Sequence, residues 1–221
     1  VTIWNNAGTT GPLFVDLVGV LGLILSPLAE LLIARFFPRV GPLPTLRSRI
    51  KTAVVTAALC GGFAYRFGTE PVLAAFVLLA VLGVQLARID VSLHLLPNPL
   101  VLSLLLGALV CFTALTLSGQ PWSHLIRAVA GAALLFVIYL TLASISPAGI
   151  GMGDVKLAAP VGLYLGYLGW SQVLYGGLLG FILNGIITVL AVAQKPKERV
   201  TEVAHGPSML GAAAGVALFL S

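Results

Sequence analysis

Two aspartates stand where an apolar chain should least tolerate them. Asp90 closes Ala87-Arg88-Ile89-Asp90 and Asp154 sits in Gly151-Met152-Gly153-Asp154-Val155-Lys156, in a chain that is 59% hydrophobic and holds only seven acids. A carboxylate beside hydrocarbon is costly unless it is paired, hydrated or protonated, so an acid in such a setting is first a functional-site hypothesis. Two carboxylates that reach one water are the minimal equipment for hydrolysing an amide. The ionised group takes a proton from water while its protonated partner polarises the carbonyl. Like charges at close range do not both ionise easily, so the pair is expected to share a proton and titrate as a unit. No Ser-His-Asp arrangement competes: His94, His124 and His205 fall in different loops, with His124 expected at the opposite face. Cys60 and Cys111 lie alone in apolar segments without metal-ligand spacing and read as small core residues. No metal and no cofactor is expected.

The elements that must position these acids are membrane helices. With 9% charged residues and a mean hydropathy of +1.08, the chain is no ordinary soluble domain. It reads as an all-α polytopic membrane protein. The first residues, Val1 to Asn6, contain no Lys or Arg, so the first apolar run lacks a signal-peptide n-region and is expected to remain as a helix. Eight apolar runs qualify as spans, at residues 13–34, 52–67, 71–89, 99–118, 124–146, 155–170, 172–193 and 207–221. With the N-terminus outside, loops 35–51, 88–98, 147–154 and 194–206 share one face. These stretches, with Lys156, hold ten of the twelve basic residues and leave only Arg66 and Arg127 near the other face. The positive-inside rule makes the basic face cytoplasmic, and a pI near 9.6 then reflects topology and lipid contact, with no nucleic-acid partner. Asp90, ending span three, and Asp154, opening span six, fall on that same face.

Local sequence suggests how each acid is tuned. Gly151 and Gly153 permit positive φ and close approach of a substrate strand. Asp154 is expected to be the N-cap of span six, where helix N–H groups favour an anion, and Lys156 acts in the same direction. Asp90 follows the C-terminal turn of span three, which opposes ionisation, so Asp154 is expected to be the ionised member and Asp90 to hold the shared proton. Pro97 and Pro99 fit the first turn of span four. Glu30 either pairs with Arg35 or lines a polar cavity that admits water and substrate. The plainer reading of the two acids is a pair of local salt bridges, Asp90 with Arg88 and Asp154 with Lys156.

Taken together, Asp90 with Leu95-Leu96-Pro97-Asn98, the GxGD sequence Gly151-Met152-Gly153-Asp154 and His205-Gly206-Pro207 before the last span resemble the type IV prepilin peptidases. The separation of the acids, 154 minus 90 or 64 positions, is similar too. The resemblance covers nearly the whole chain and implies one integral-membrane peptidase domain over residues 1–221, with Asp90 and Asp154 as the catalytic pair. It further implies a bacterial inner-membrane aspartic endopeptidase that removes leader peptides from prepilin or pseudopilin substrates at the cytoplasmic face. Larger members carry a cytoplasmic insert with paired CxxC motifs and also methylate the new N-terminus. Here residues 35–51 form only a short basic linker without cysteine, so cleavage without N-methylation is expected. The alternative class is a small transporter or channel whose two acids relay protons or bind a cation, which would place them near the midplane.

Overall fold

Proline, glycine and small polar residues interrupt the apolar runs, and helix ends fall at those interruptions. The structure is a computed structural model that describes residues 11–41, 43–145, 150–194 and 204–220. Its helices are α1 (Pro12–Phe36), α2 (Leu46–Phe67), α3 (Leu73–Leu93), α4 (Asn98–Leu117), α5 (Trp122–Ile145), α6 (Met152–Leu168), α7 (Trp170–Gln194) and α8 (Gly206–Phe219), with one 3-10 turn at Pro38–Val40. Prolines occupy the first turn of α1, α4 and α8, where no intrahelical N–H is needed. Gly68 at φ 60° ends α2, and His94 ends α3 in the left-handed region at φ 51°. All the regular structure among the described residues is helical.

Each expected span corresponds to a helix, with two notable shifts in boundary. The helix of span two starts at Leu46 rather than residue 52, because the basic stretch after Thr45 also winds. The Thr45 hydroxyl accepts the Ser48 N–H at 3.4 Å. The helix of span three runs on to Leu93, which places Asp90 inside its last turn. Among the described residues five helices, α1, α3, α4, α5 and Trp170–Leu190 of α7, are long and apolar enough to cross a membrane, whereas α6 and α8 are short and α2 begins with charged residues. The basic residues Lys195, Lys197 and Arg199 lie outside the described residues.

The distribution of polarity is that of a protein in lipid. Leu17, Ile24, Val110, Ile126, Val137 and Val189 are exposed, while Ser26, Glu30, Thr56, Gln85 and Asp90 are buried. In hydrocarbon an exposed leucine costs nothing, and a polar group must find its partner inside the bundle. Small residues let helices approach there. A Cβ on Gly131 of α5 would lie 2.6 Å from the Gly162 carbonyl oxygen of α6, so these backbones are nearly in contact. Arg127 of α5 secures the same pair by donating to the Gly166 and Tyr167 carbonyls at the end of α6, each at 2.7 Å.

Successive helices run antiparallel, so α3 ends where α4 and α6 both begin. One end of the bundle gathers Phe67, Phe76, Phe112, Tyr164 and Tyr167, with Phe112 stacked on Tyr167 at 4.1 Å and the Tyr164 hydroxyl donating to the Ala75 carbonyl at 2.8 Å. The other end carries both aspartates.

Candidate active site

Asp90 projects from the last turn of α3 and is 5% exposed. Its Oδ2 accepts the backbone N–H of Gly206, the first residue of α8, at 3.0 Å. This approach requires glycine, since a Cβ at position 206 would sit 2.7 Å from the same oxygen. Asp154 lies in the first turn of α6, and Leu157 follows it by three residues on the same helix face. Leu157 packs on Gly206 from that face, 3.4 Å from where a Cβ would stand. Gly206 therefore marks the point on which α3, α6 and α8 converge. The two carboxylates interact electrostatically there.

Asp154 is not the N-cap of α6. That position belongs to Gly151, with φ −73° and ψ 149°, and Asp154 stands three residues on. Its carboxylate lies back toward Gly151, with Oδ2 3.5 Å from where a Cβ there would stand, in a first turn whose free N–H groups favour an anion. Neither site glycine uses positive φ, which among the described glycines is confined to Gly41, Gly68 and Gly119. Gly153 instead makes room for Leu96, whose Cβ would be 3.1 Å from an added Cβ. The Leu96-Pro97 segment is thereby pressed against the GxGD turn, and Pro97 is the N-cap of α4 with φ −61° and ψ 120°.

The expected local salt bridges are not formed. Arg88 Nε donates to Gln85 Oε1 at 3.0 Å, and Lys156 Nζ donates to Asn98 Oδ1 at 2.9 Å. Lys156 thus ties α6 to the start of α4. The expectation that Asp90 holds the proton considered the carbonyl end of α3 alone. The N-terminal end of α8, opposite in sign, also faces Asp90, so α3 no longer decides which acid is charged.

Glu30 stands apart from the pair. It is 1% exposed, so it lines no open cavity, and its partner is Arg49 of α2 at 3.0 Å rather than Arg35. Arg35 is five positions beyond Glu30, which turns the exposed Arg35 onto another face of α1. Thr52 donates to the other Glu30 oxygen at 2.7 Å, and Gln85 donates to Ser26 at 3.2 Å, so this polar network joins α1, α2 and α3. Beside the acids, a cleft of about 600 Å³ is lined by Phe36, Phe37, Ile89, Leu93, Leu96 and Pro97. The wall is mainly apolar and shares Leu96 with the GxGD turn.

In the sequence Gly206 stands only as part of a Gly-Pro segment, and its role as a hydrogen-bond donor is not visible there. Nor is the role of Tyr139 of α5, whose hydroxyl is 3.0 Å from His205 Nε2. Burial pushes the His205 imidazole below its ordinary value, which favours the neutral ring. His124 lies with Tyr167 in the aromatic end, far from the acids. Cys60 is buried and Cys111 partly so. Among the described residues no three His, Cys, Asp or Glu side chains gather as a metal site.

Fold and polarity together define a polytopic helical membrane protein with two aspartates, Asp90 and Asp154, at one end of its bundle. The chain belongs to the type IV leader peptidase family, whose model matches residues 73–190. It is 26% identical over 156 residues to a prepilin leader peptidase/N-methyltransferase of Xanthomonas campestris pv. campestris, a match covering 70% of this chain and 53% of that protein. It is 29% identical over 137 residues to the Bacillus subtilis prepilin leader peptidase/N-methyltransferase, covering 62% of this chain and 53% of that one. The chain spans about half the length of both curated relatives. No solved structure matches it significantly.

Proposed function

We propose that the protein is an integral-membrane aspartic endopeptidase that removes the leader from prepilin-like substrates. The observation that carries this reading is the placement of Asp90 and Asp154 at the end of the bundle where α3 finishes and α6 begins, with Asp90 bonded to Gly206 and near enough to Asp154 for the two acids to interact electrostatically. In the reaction, the ionised carboxylate takes a proton from water as its oxygen attacks the scissile carbonyl carbon, and the protonated carboxyl gives its proton to the carbonyl oxygen. Collapse of the resulting gem-diol breaks the C–N bond, and a carboxyl proton passes to the departing amine. The acids stand at helix ends rather than at mid-helix, which favours a peptidase over a transport relay.

The pair faces the cytoplasm in this reading. Arg35, Arg47, Arg49, Lys51, Arg88 and Lys156 belong to the same end of the bundle as the acids, and Arg66 and Arg127 to the other. The family and the names of its relatives support prepilin-like substrates, and a bacterial inner-membrane location and pseudopilin substrates belong to the same reading. The cysteine-free linker 35–51 supports cleavage without N-methylation. Co-expression with a prepilin, followed by a gel shift and by mass measurement of the new N-terminus, tests each part. Leader loss is expected with the unaltered chain and none with Asp90→Asn or Asp154→Asn. Cleavage retained in either variant removes that acid from the mechanism, and a product heavier by one methyl group refutes the absence of methylation.

A further inference from the structure

The carboxylate pair depends on where α8 starts, and the side chain next to that start is held by a contact of its own. His205 is 7% exposed, and its Nε2 lies 3.0 Å from the hydroxyl of Tyr139, itself 1% exposed on α5. Phe181 of α7 completes the enclosure, stacked on Tyr139 with centroids 5.1 Å apart and tilted against His205 at 5.5 Å. Within this aromatic box an imidazole and a phenol would each be left unsatisfied without the other, which makes their bond the favoured arrangement. One peptide unit further on, the Gly206 N–H meets Asp90. The ring of His205 is thus fixed to α5 and α7 while the adjoining amide is fixed to α3.

We propose that His205 and Tyr139 form a latch that holds the Gly206 N–H against Asp90, which makes both of them positioning residues for the carboxylate pair. His205 bonds Tyr139 and donates to neither aspartate, so it acts through the backbone of α8 and not on the substrate. The latch is independent of the peptidase reading; only its effect on turnover rests on that reading. Removing the bond while keeping both rings frees the start of α8 to move, and a donor displaced from a reacting carboxylate slows turnover more than it weakens substrate binding.

The test uses the full chain in lipid nanodiscs with four variants: Tyr139→Phe, His205→Phe, their double variant and His205→Gln, whose amide can still meet the phenol. Hydrogen exchange at the Gly206 amide is followed by NMR, alongside kcat and KM for prepilin cleavage. The expected result is exchange about tenfold faster and kcat about tenfold lower, at unchanged KM, in both Phe variants. The double variant is expected to be no worse than either single one, and His205→Gln to stand near the unaltered chain. Unchanged Gly206 exchange in the Phe variants overturns the latch, as does additivity in the double variant or a Gln variant as impaired as His205→Phe. Should the unaltered chain cleave no prepilin, the peptidase reading fails while amide exchange still decides the latch.

Discussion

At the scale of single residues, the site depends on a few contacts that admit no added atom. Gly206 is the sharpest case, because a methyl group there would meet Asp90 Oδ2 at 2.7 Å. Gly206→Ala is expected to lower kcat for leader cleavage about a hundredfold with the fold retained, since displacements of this order near a reacting group carry such costs. Steady-state kinetics beside a circular dichroism spectrum would check both halves. Glu30 makes a different prediction. Its carboxylate is buried against Arg49, so Arg49→Met leaves an uncompensated charge and should destabilise the protein by about 3 kcal/mol. Glu30→Leu combined with Arg49→Met should recover much of that loss, read as the shift in thermal unfolding in detergent. The two aspartates were legible from residue type and setting. The donor to Asp90 was not, because Gly206 lies 116 positions further along the chain and a glycine amide leaves no trace in composition.

At the scale of elements, periodicity and punctuation located all eight helices, while their ends followed local capping that hydropathy does not report. Asp154 illustrates the difference. An acid before an apolar run reads as an N-cap, yet the helix starts earlier at Met152, and Asp154 stands in its first turn, three residues after the N-cap Gly151. Alanine at position 151 would keep this geometry, whose φ of −73° suits any residue, so Gly151→Ala is expected to retain most activity in the cleavage assay. The α5–α6 pair imposes the opposite demand. Gly131 and Gly162 bring the two backbones together, and Gly162→Val should force them apart at a cost of about 2 kcal/mol or more, visible as a lowered unfolding temperature. Because α6 carries Asp154, that variant should also lose cleavage activity.

At the scale of the whole molecule, lipid is the solvent that makes an exposed apolar surface and a buried polar interior compatible. Orientation is testable at this scale. Leu95→Cys, in the exposed turn beside the acids, should react with an impermeant maleimide in inside-out vesicles, whereas Ser118→Cys at the other end should react in intact cells. The reverse pattern would place the site outside. Membrane class, helix number and the shared face of Asp90 and Asp154 were determined by sequence alone, because hydropathy and charge bias act locally and the parity of spans carries them across the chain. Which groups meet the acids was decided only by tertiary structure. Gly206 on Asp90, Leu96 on Gly153, Asn98 on Lys156 and Tyr139 on His205 join residues from 57 (153 minus 96) to 116 positions apart, through helix rotations and small-residue contacts that no linear pattern encodes.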